Sequence, residues 1–83
     1  MATLTTTEKG KVMATPQDCL KILLATLNNS SNTIVLRAAA AEGLGTIGGE
    51  EARKALIAIL SNSSNTAELR AAAAKAVGHA ANH

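Results

Sequence analysis

LNNSSNTIVLRAAAAEGLG, residues 27–45, is followed further along the chain by LSNSSNTAELRAAAAKAVG, residues 60–78. When the second copy is set on the first at an offset of 33 residues, 13 of the 19 aligned positions are identical. The match extends backwards, since residues 19–27 align with residues 52–60. A period of this length is typical of stacked repeats, in which each unit buries an apolar face against its neighbour.

The first half of each unit is predicted to be an amphipathic helix. In the second unit, the stretch EEARKALIAIL places its apolar residues at the spacing of one helical face: Ala52, Ala55, Leu56, Ile59 and Leu60. In the first unit, Thr15 is a predicted N-cap, with Pro16 at the first helical position and Asp18 as its capping partner. Each unit therefore opens with a helix that has one buried side.

The second half of each unit is predicted to be a turn followed by another helix. The stretches NNSSNT and SNSSNT favour turns, because Asn and Ser bond their own backbone. Thr33 and Thr66 are then predicted N-caps. One face of each following helix is apolar: Leu36, Ala40, Leu44 and Ile47 in the first unit, and Leu69, Ala73, Val77 and Ala80 in the second.

These elements predict an all-α fold, a short α-solenoid of two helical hairpins with about four helices. Unit one is expected to span residues 15–47 and unit two residues 48–83, joined by a glycine pair that ends one helix and turns the chain. Residues 1–14 are expected to form an N-terminal arm, either flexible or folded over the first unit as a cap.

Composition excludes several classes of function. The net charge is only +2 and the basic residues are scattered, with no aromatic residue beside them, which argues against nucleic-acid binding. No apolar run reaches the roughly 18 residues of a membrane span. The first residues lack the basic-then-apolar order of a secretory signal, so a cytoplasmic location is expected. The single cysteine, Cys19, aligns with Ala52 and is predicted to fill the core.

No arrangement of residues predicts catalysis, a cofactor or a metal site. His79 and His83 have the i, i+4 spacing that zinc sites use, yet no third ligand is near in the sequence, which favours a solvated helix end. Glu42 and Lys75 occupy equivalent positions with opposite charge and could pair between neighbouring second helices. The chain is therefore expected not to be an enzyme.

Arg37 and Arg70 also occupy equivalent positions, and two interpretations are open. They could contact an anion or carboxylate on the inner surface. The favoured interpretation is a structural ladder, together with Thr33 and Thr66, in which each guanidinium bonds carbonyls or turn residues of the adjacent unit.

The stretches LRAAAAEGLGTIGGEEARKALIAIL and ELRAAAAKAVGHAA resemble HEAT-like repeats of the phycobilisome-lyase type over about residues 16–80. The matching pairs begin and end each second helix: Leu36-Arg37, Leu44-Gly45, Leu69-Arg70 and Val77-Gly78. The resemblance implies a cyanobacterial setting, with relatives that attach, remove or isomerise linear tetrapyrroles on light-harvesting proteins, dismantle antennae or hold proteins together. The turns depart from that family, which usually has Asp and Pro there, and enzymatic members have many more units.

Unit one is the more apolar unit at aligned positions, for example with Leu20 where unit two has Arg53. Two units are fewer than the three that usually stabilise such a stack, so its ends must be covered. Either the arm caps unit one or this face binds another protein or a second copy, the latter by twofold pairing that Leu20→Glu should break. The predicted protein-binding residues are Leu20, Leu24, Ile34, Val35 and Arg53.

Two functions follow from this organisation. The first is a non-enzymatic protein-binding adapter or scaffold, whose partner would be a protein such as a phycobiliprotein or another antenna protein. The alternative is an accessory subunit of a bilin lyase or of a phycobilisome-turnover system. A visible absorbance shift on mixing with a linear tetrapyrrole would favour the alternative.

Overall fold

The computed structural model of the protein describes residues 15–82, and this part of the chain contains four α-helices and no strand. The helices are α1 (Pro16–Asn28), α2 (Ile34–Ile47), α3 (Glu50–Ser61) and α4 (Ala67–Ala80). The pairs α1–α2 and α3–α4 form two hairpins that stack side by side. The predicted all-α solenoid is confirmed; the predicted arm lies outside the described residues.

Three of the helices begin at the threonines predicted to cap them. The Thr15 hydroxyl accepts a hydrogen bond from the Asp18 N–H at 3.1 Å, and the Asp18 carboxylate accepts from the Thr15 N–H at 3.0 Å. The hydroxyls of Thr33 and Thr66 each accept from the N–H three residues later, also at 3.1 Å. These bonds satisfy donors that have no partner inside a helix, and so they fix where α1, α2 and α4 start.

Two consecutive glycines connect the hairpins. Gly48 has φ 73° and Gly49 has φ 86°, both in the left-handed region that L side chains disfavour. The Gly48 N–H donates to the Leu44 carbonyl at 2.9 Å, which closes the end of α2. Because α3 begins directly after this turn, the second hairpin packs against the first.

The core is small and aliphatic, and every helix contributes to it. The largest fully buried side chains are one leucine from each helix: Leu27, Leu44, Leu56 and Leu69. Alanines of α2, α3 and α4 fill the space between them. Since apolar burial is the main favourable term in folding, these four leucines are the principal source of stability in the stack.

The second helices of the two units lie closer together than the first. A Cβ atom added at Gly45 of α2 would come within 2.8 Å of the Ala76 main chain in α4. By contrast, α1 and α3 barely touch. Helices α2 and α4 therefore form the closely packed side of the stack, which we call the concave side because a longer stack of such units would curve towards it.

Two residues of unit one are more exposed than their equivalents in unit two. Leu36 lies on the predicted apolar face of α2, but it is 48% exposed while its equivalent Leu69 is 0% exposed. Cys19 was predicted to fill the core, but it is exposed while its equivalent Ala52 is buried. The equivalent residues of unit two pack at the junction with unit one, and no unit precedes unit one within residues 15–82.

Candidate protein-interaction surfaces

The repeated asparagines hold the turns together and are not available to a partner. The Asn32 amide donates to the Thr26 carbonyl at 3.0 Å, and the equivalent Asn65 donates to the Ile59 carbonyl at 2.9 Å. Both bonds reach back to the C-terminal part of the preceding helix. They supply donors to carbonyls near the helix end, where the regular donor four residues later is lacking; the Ile59 carbonyl also accepts from the Asn62 N–H at 3.4 Å.

A second pair of asparagines shapes the same turns. The side-chain oxygen of Asn29 accepts from the Ser31 N–H at 2.9 Å, and that of Asn62 accepts from the Ser64 N–H at 2.9 Å. Such bonds to the backbone two residues later are typical of Asx turns. The repeated Asn-Ser stretches are therefore structural.

Arg37 and Arg70 bind main-chain carbonyls, but within their own units. The Arg37 Nε–H donates to the Leu27 carbonyl at 2.8 Å, and the Arg70 Nε–H donates to the Leu60 carbonyl at 2.9 Å. The expectation that each guanidinium reaches the adjacent unit was wrong. The physical reason is that the last carbonyls of the first helix lie beside the start of the second helix of the same hairpin.

The five predicted binding residues differ widely in exposure. Leu20 is only 9% exposed and belongs to the core, so the expectation that it forms part of an open apolar face was wrong. Leu24 and Ile34 are half-buried and pack against the core. Val35 is 72% exposed. Arg53 is half-buried, with its Nη1 atom 3.4 Å from the Ala80 carbonyl oxygen.

Unit one nevertheless presents an apolar surface. It is formed by residues that were not among the predicted binding residues. Its members are exposed, whereas their equivalents in unit two are buried or half-buried. We call them the N-terminal end surface: Cys19, Ile22, Leu36 and Ala39. The signal that could have identified them is the repeat itself, because any position that unit two buries against unit one is left open in unit one.

The opposite end of the stack shows the converse pattern. Six residues of unit two are exposed, whereas their equivalents in unit one are buried or half-buried. Leaving aside Ala67 and Ala81, at the two ends of α4, we call the other four the C-terminal end surface: Ile57, Ala71, Ala74 and Gly78. Most of these residues are small, so a neighbouring helix can approach α4 closely on this side.

A shallow groove of about 210 Å³ lies between α2 and α4 on the concave side. Its lining residues are Glu42, Thr46, Lys75, Ala76 and His79. Glu42 and Lys75 face the same groove, but the ion pair expected between them is not formed within 4.0 Å. The groove therefore offers both charges to solvent.

The part of the chain that the structure describes contains no cluster of metal ligands. Residues 15–82 contain no group of three or more His, Cys, Asp or Glu side chains placed to hold an ion. His79 is exposed, and its predicted companion His83 lies outside the described residues. In the same range, every helix is too short or too polar to cross a bilayer.

Two stacked helical hairpins joined by tight turns place the chain among the α-solenoid repeat proteins. A family model for HEAT repeats matches residues 15–82. The chain belongs to the HEAT-repeat family. HEAT repeats commonly mediate protein interactions. No curated protein and no solved structure matches the chain.

Proposed function

We propose that this chain is a non-enzymatic scaffold that binds another protein through the exposed apolar residues of unit one. Within residues 15–82, three of the four exposed large hydrophobic side chains belong to that unit: Ile22 at 65%, Val35 at 72% and Leu36 at 48%. Exposed apolar side chains gathered in one part of a small protein are typical of interaction surfaces. This concentration is the observation that carries the proposal.

The polar residues support a scaffold over a catalyst. The repeated asparagines, threonines and arginines each bind main chain inside their own hairpin. Catalysis requires side chains that are held near one another and still open to a substrate. Here the repeated polar groups are engaged in holding turns, so the function that remains is recognition by surface shape and apolar contact.

The partner that we propose is a protein with an apolar patch flanked by charge. The same helix α2 carries the exposed Val35 in its first turn and, two turns later, Glu42, which lines the groove together with Lys75. An apolar centre with a polar rim is the usual composition of a protein interface. The resemblance to the phycobilisome-lyase type makes a phycobiliprotein or another antenna protein the first candidate.

The resemblance also supports the alternative of an accessory subunit in a bilin lyase or in phycobilisome turnover. This resemblance is supported only by the sequence of the repeats, since the family match is to HEAT repeats in general. Self-association by twofold pairing through unit one stays a prediction. Because Leu20 is buried, such pairing would have to use Ile22 and Leu36.

Calorimetric titration of the chain with a purified apo-phycobiliprotein tests the scaffold proposal. We expect binding that is lost in the double variant Ile22→Ser and Leu36→Ser. The matched control is Ala58→Ser, an apolar-to-serine change at an exposed position that lies in neither end surface, which should leave the affinity unchanged. Equal binding by all three proteins would contradict a surface in unit one. A visible absorbance change with free tetrapyrrole would favour the lyase-subunit alternative.

A further inference from the structure

At the interface between the two units, α4 packs against a strip of small residues on α2, which we call the seam. Ala41 and Gly45 of α2 are buried there. A Cβ atom added at Gly45 would lie 2.8 Å from the Ala76 Cα and 2.8 Å from the Ala76 carbonyl oxygen. The two main chains therefore touch, and the glycine is needed for that approach.

The same seam occurs a second time, on α4, and nothing within the described residues covers it. Ala74 and Gly78 stand 33 residues after Ala41 and Gly45, and both are exposed. A Cβ atom added at Gly78 meets no atom within 4 Å. The C-terminal end surface thus repeats, in sequence and in position on the helix, a surface that already binds a helix in this molecule.

The face that would fill this seam is also exposed, at the other end of the stack. In the interface within the chain, Leu69 and Ala72 of α4 are buried. Their equivalents in α2 are Leu36 and Ala39, both of which belong to the N-terminal end surface and are exposed. The α4 residue that touches Gly45 is Ala76, and its equivalent Gly43 is half-buried beside the Leu23 side chain of its own unit. The exposed copy of this half of the interface therefore consists of Leu36 and Ala39, and the exposed copy of the other half consists of Ala74 and Gly78.

Charge on the concave side supports the same arrangement. Glu42 of unit one and Lys75 of unit two lie on opposite sides of the groove between α2 and α4. If a second copy continued the stack, its Glu42 would lie across an equivalent groove from Lys75 of the first copy. Negative and positive charges would then alternate along the assembly, whereas like charges would face one another if two units of the same kind were stacked.

We propose that the C-terminal end surface of one chain binds the N-terminal end surface of a second copy, head to tail, and repeats the interface between units one and two. The inference does not depend on the identity of any other partner, but a protein bound to the exposed apolar residues of unit one would compete with the second copy for the N-terminal end surface. A head-to-tail interface is heterologous, so each copy added leaves one open surface at each end of the assembly. The assembly should therefore grow with concentration beyond two chains.

Sedimentation of the full chain over a range of concentrations tests the proposal. We expect the average mass to rise from the monomer value of 8.4 kDa to more than twice that value. Ala39→Glu blocks the N-terminal end surface and Ala74→Glu blocks the C-terminal end surface. Both positions are exposed, so the helical circular dichroism should be unchanged. Each variant alone should be a monomer.

A mixture of the two variants decides between arrangements. Each variant keeps the one surface that the other has lost, so an equimolar mixture should form a dimer containing one copy of each and should stop there. Twofold pairing through unit one predicts instead that Ala74→Glu remains a dimer by itself and that mixing adds nothing. That result would overturn the proposal. A wild-type chain that stays monomeric at every concentration, as it would if residues 1–14 or another segment covered an end, would also overturn it.

Two further variants control for charge and for folding. Ala58 and its equivalent Ala25 are both exposed, so neither lies in the repeated interface, and Ala58→Glu should associate like the wild type. Gly78→Ala adds a methyl group that meets nothing among the described residues of its own chain but would meet the main chain of a docked copy. We expect it to lower association while the thermal stability of the monomer is kept or increased. Unchanged association of this variant would contradict the close approach that the proposal requires.

Discussion

The Gly45 main chain of α2 lies directly against the Ala76 main chain of α4, and this contact sets the distance between the two units. A methyl group at Gly45 would lie 2.8 Å from the Cα and the carbonyl oxygen of Ala76 and 2.9 Å from its Cβ. No flexible side chain stands there to move aside. The contact explains why a residue that weakens a helix occupies the last turn of α2.

The first prediction compares Gly45→Ala with Gly78→Ala. At Gly78 the methyl group meets nothing, so the higher helix propensity of Ala should stabilise the protein by up to about 1 kcal/mol. At Gly45 overpacking should cost about 1–3 kcal/mol and outweigh that gain. Urea unfolding followed by circular dichroism measures both, at a concentration low enough for a monomer. A Gly45→Ala protein as stable as Gly78→Ala would show that the two helices are farther apart.

The second prediction concerns the helix caps. Thr33→Ala and Thr66→Ala each remove a hydroxyl that accepts from a helix N–H at 3.1 Å, and each should lower the free energy of unfolding by about 1 kcal/mol. For a domain of this size, that corresponds to a fall in Tm of about 4–8 °C. Ser63→Ala in the same kind of turn is the control and should be close to neutral. Thermal scans of the three variants check this.

Helices, caps and turns were predictable from the sequence because each depends on residues that are close along the chain. Thr33 can cap α2 because the N–H that it binds is three residues away. The glycine pair at 48–49 indicates a turn in the same local way. The 33-residue period then supplied the stack, since equivalent residues in a repeat occupy equivalent places.

Exposure at the ends of the stack could not be predicted from residue type. Leu36 and Leu69 are the same residue in the same repeat position, yet the first is half exposed and the second is fully buried. The difference comes from the neighbouring unit and not from the residue. For the same reason the comparison of the two units selected Leu20, which is buried, and passed over Ile22, which is exposed.

The acceptors of the arginine hydrogen bonds could not be predicted from the sequence because they are main-chain atoms. Every residue has a carbonyl, so no residue type distinguishes that of Leu27, and the bonds were expected in the adjacent unit. The hydrogen bonds of Arg37 and Arg70 span ten residues and depend on how the two helices of a hairpin pack.

The third prediction is that Arg37 and Arg70 stabilise the hairpins and do not bind a partner. Arg37→Gln should lose the bond to the Leu27 carbonyl and lower the free energy of unfolding by about 1–3 kcal/mol. Lys54→Gln is the control, because its ion pair with Glu50 is on the surface and should contribute less than about 0.5 kcal/mol. Urea unfolding and binding to the phycobiliprotein are measured together. Loss of binding at unchanged stability would favour the anion-contact interpretation.

The last prediction separates Leu20 from Ile22, which stand two residues apart on α1. The sequence predicted that Leu20→Glu would break a dimer, but the side chain lies in the core, and an unpaired carboxylate there should instead destabilise the fold by several kcal/mol. Ile22→Glu places the same charge at a largely exposed position and should leave the helical content intact. Circular dichroism and thermal unfolding give the first comparison, and sedimentation of Ile22→Glu gives the second, with weaker association expected. A Leu20→Glu protein as stable as the wild type would contradict the burial of Leu20 in the core. Unchanged association of Ile22→Glu would show that Ile22 is not part of the N-terminal end surface.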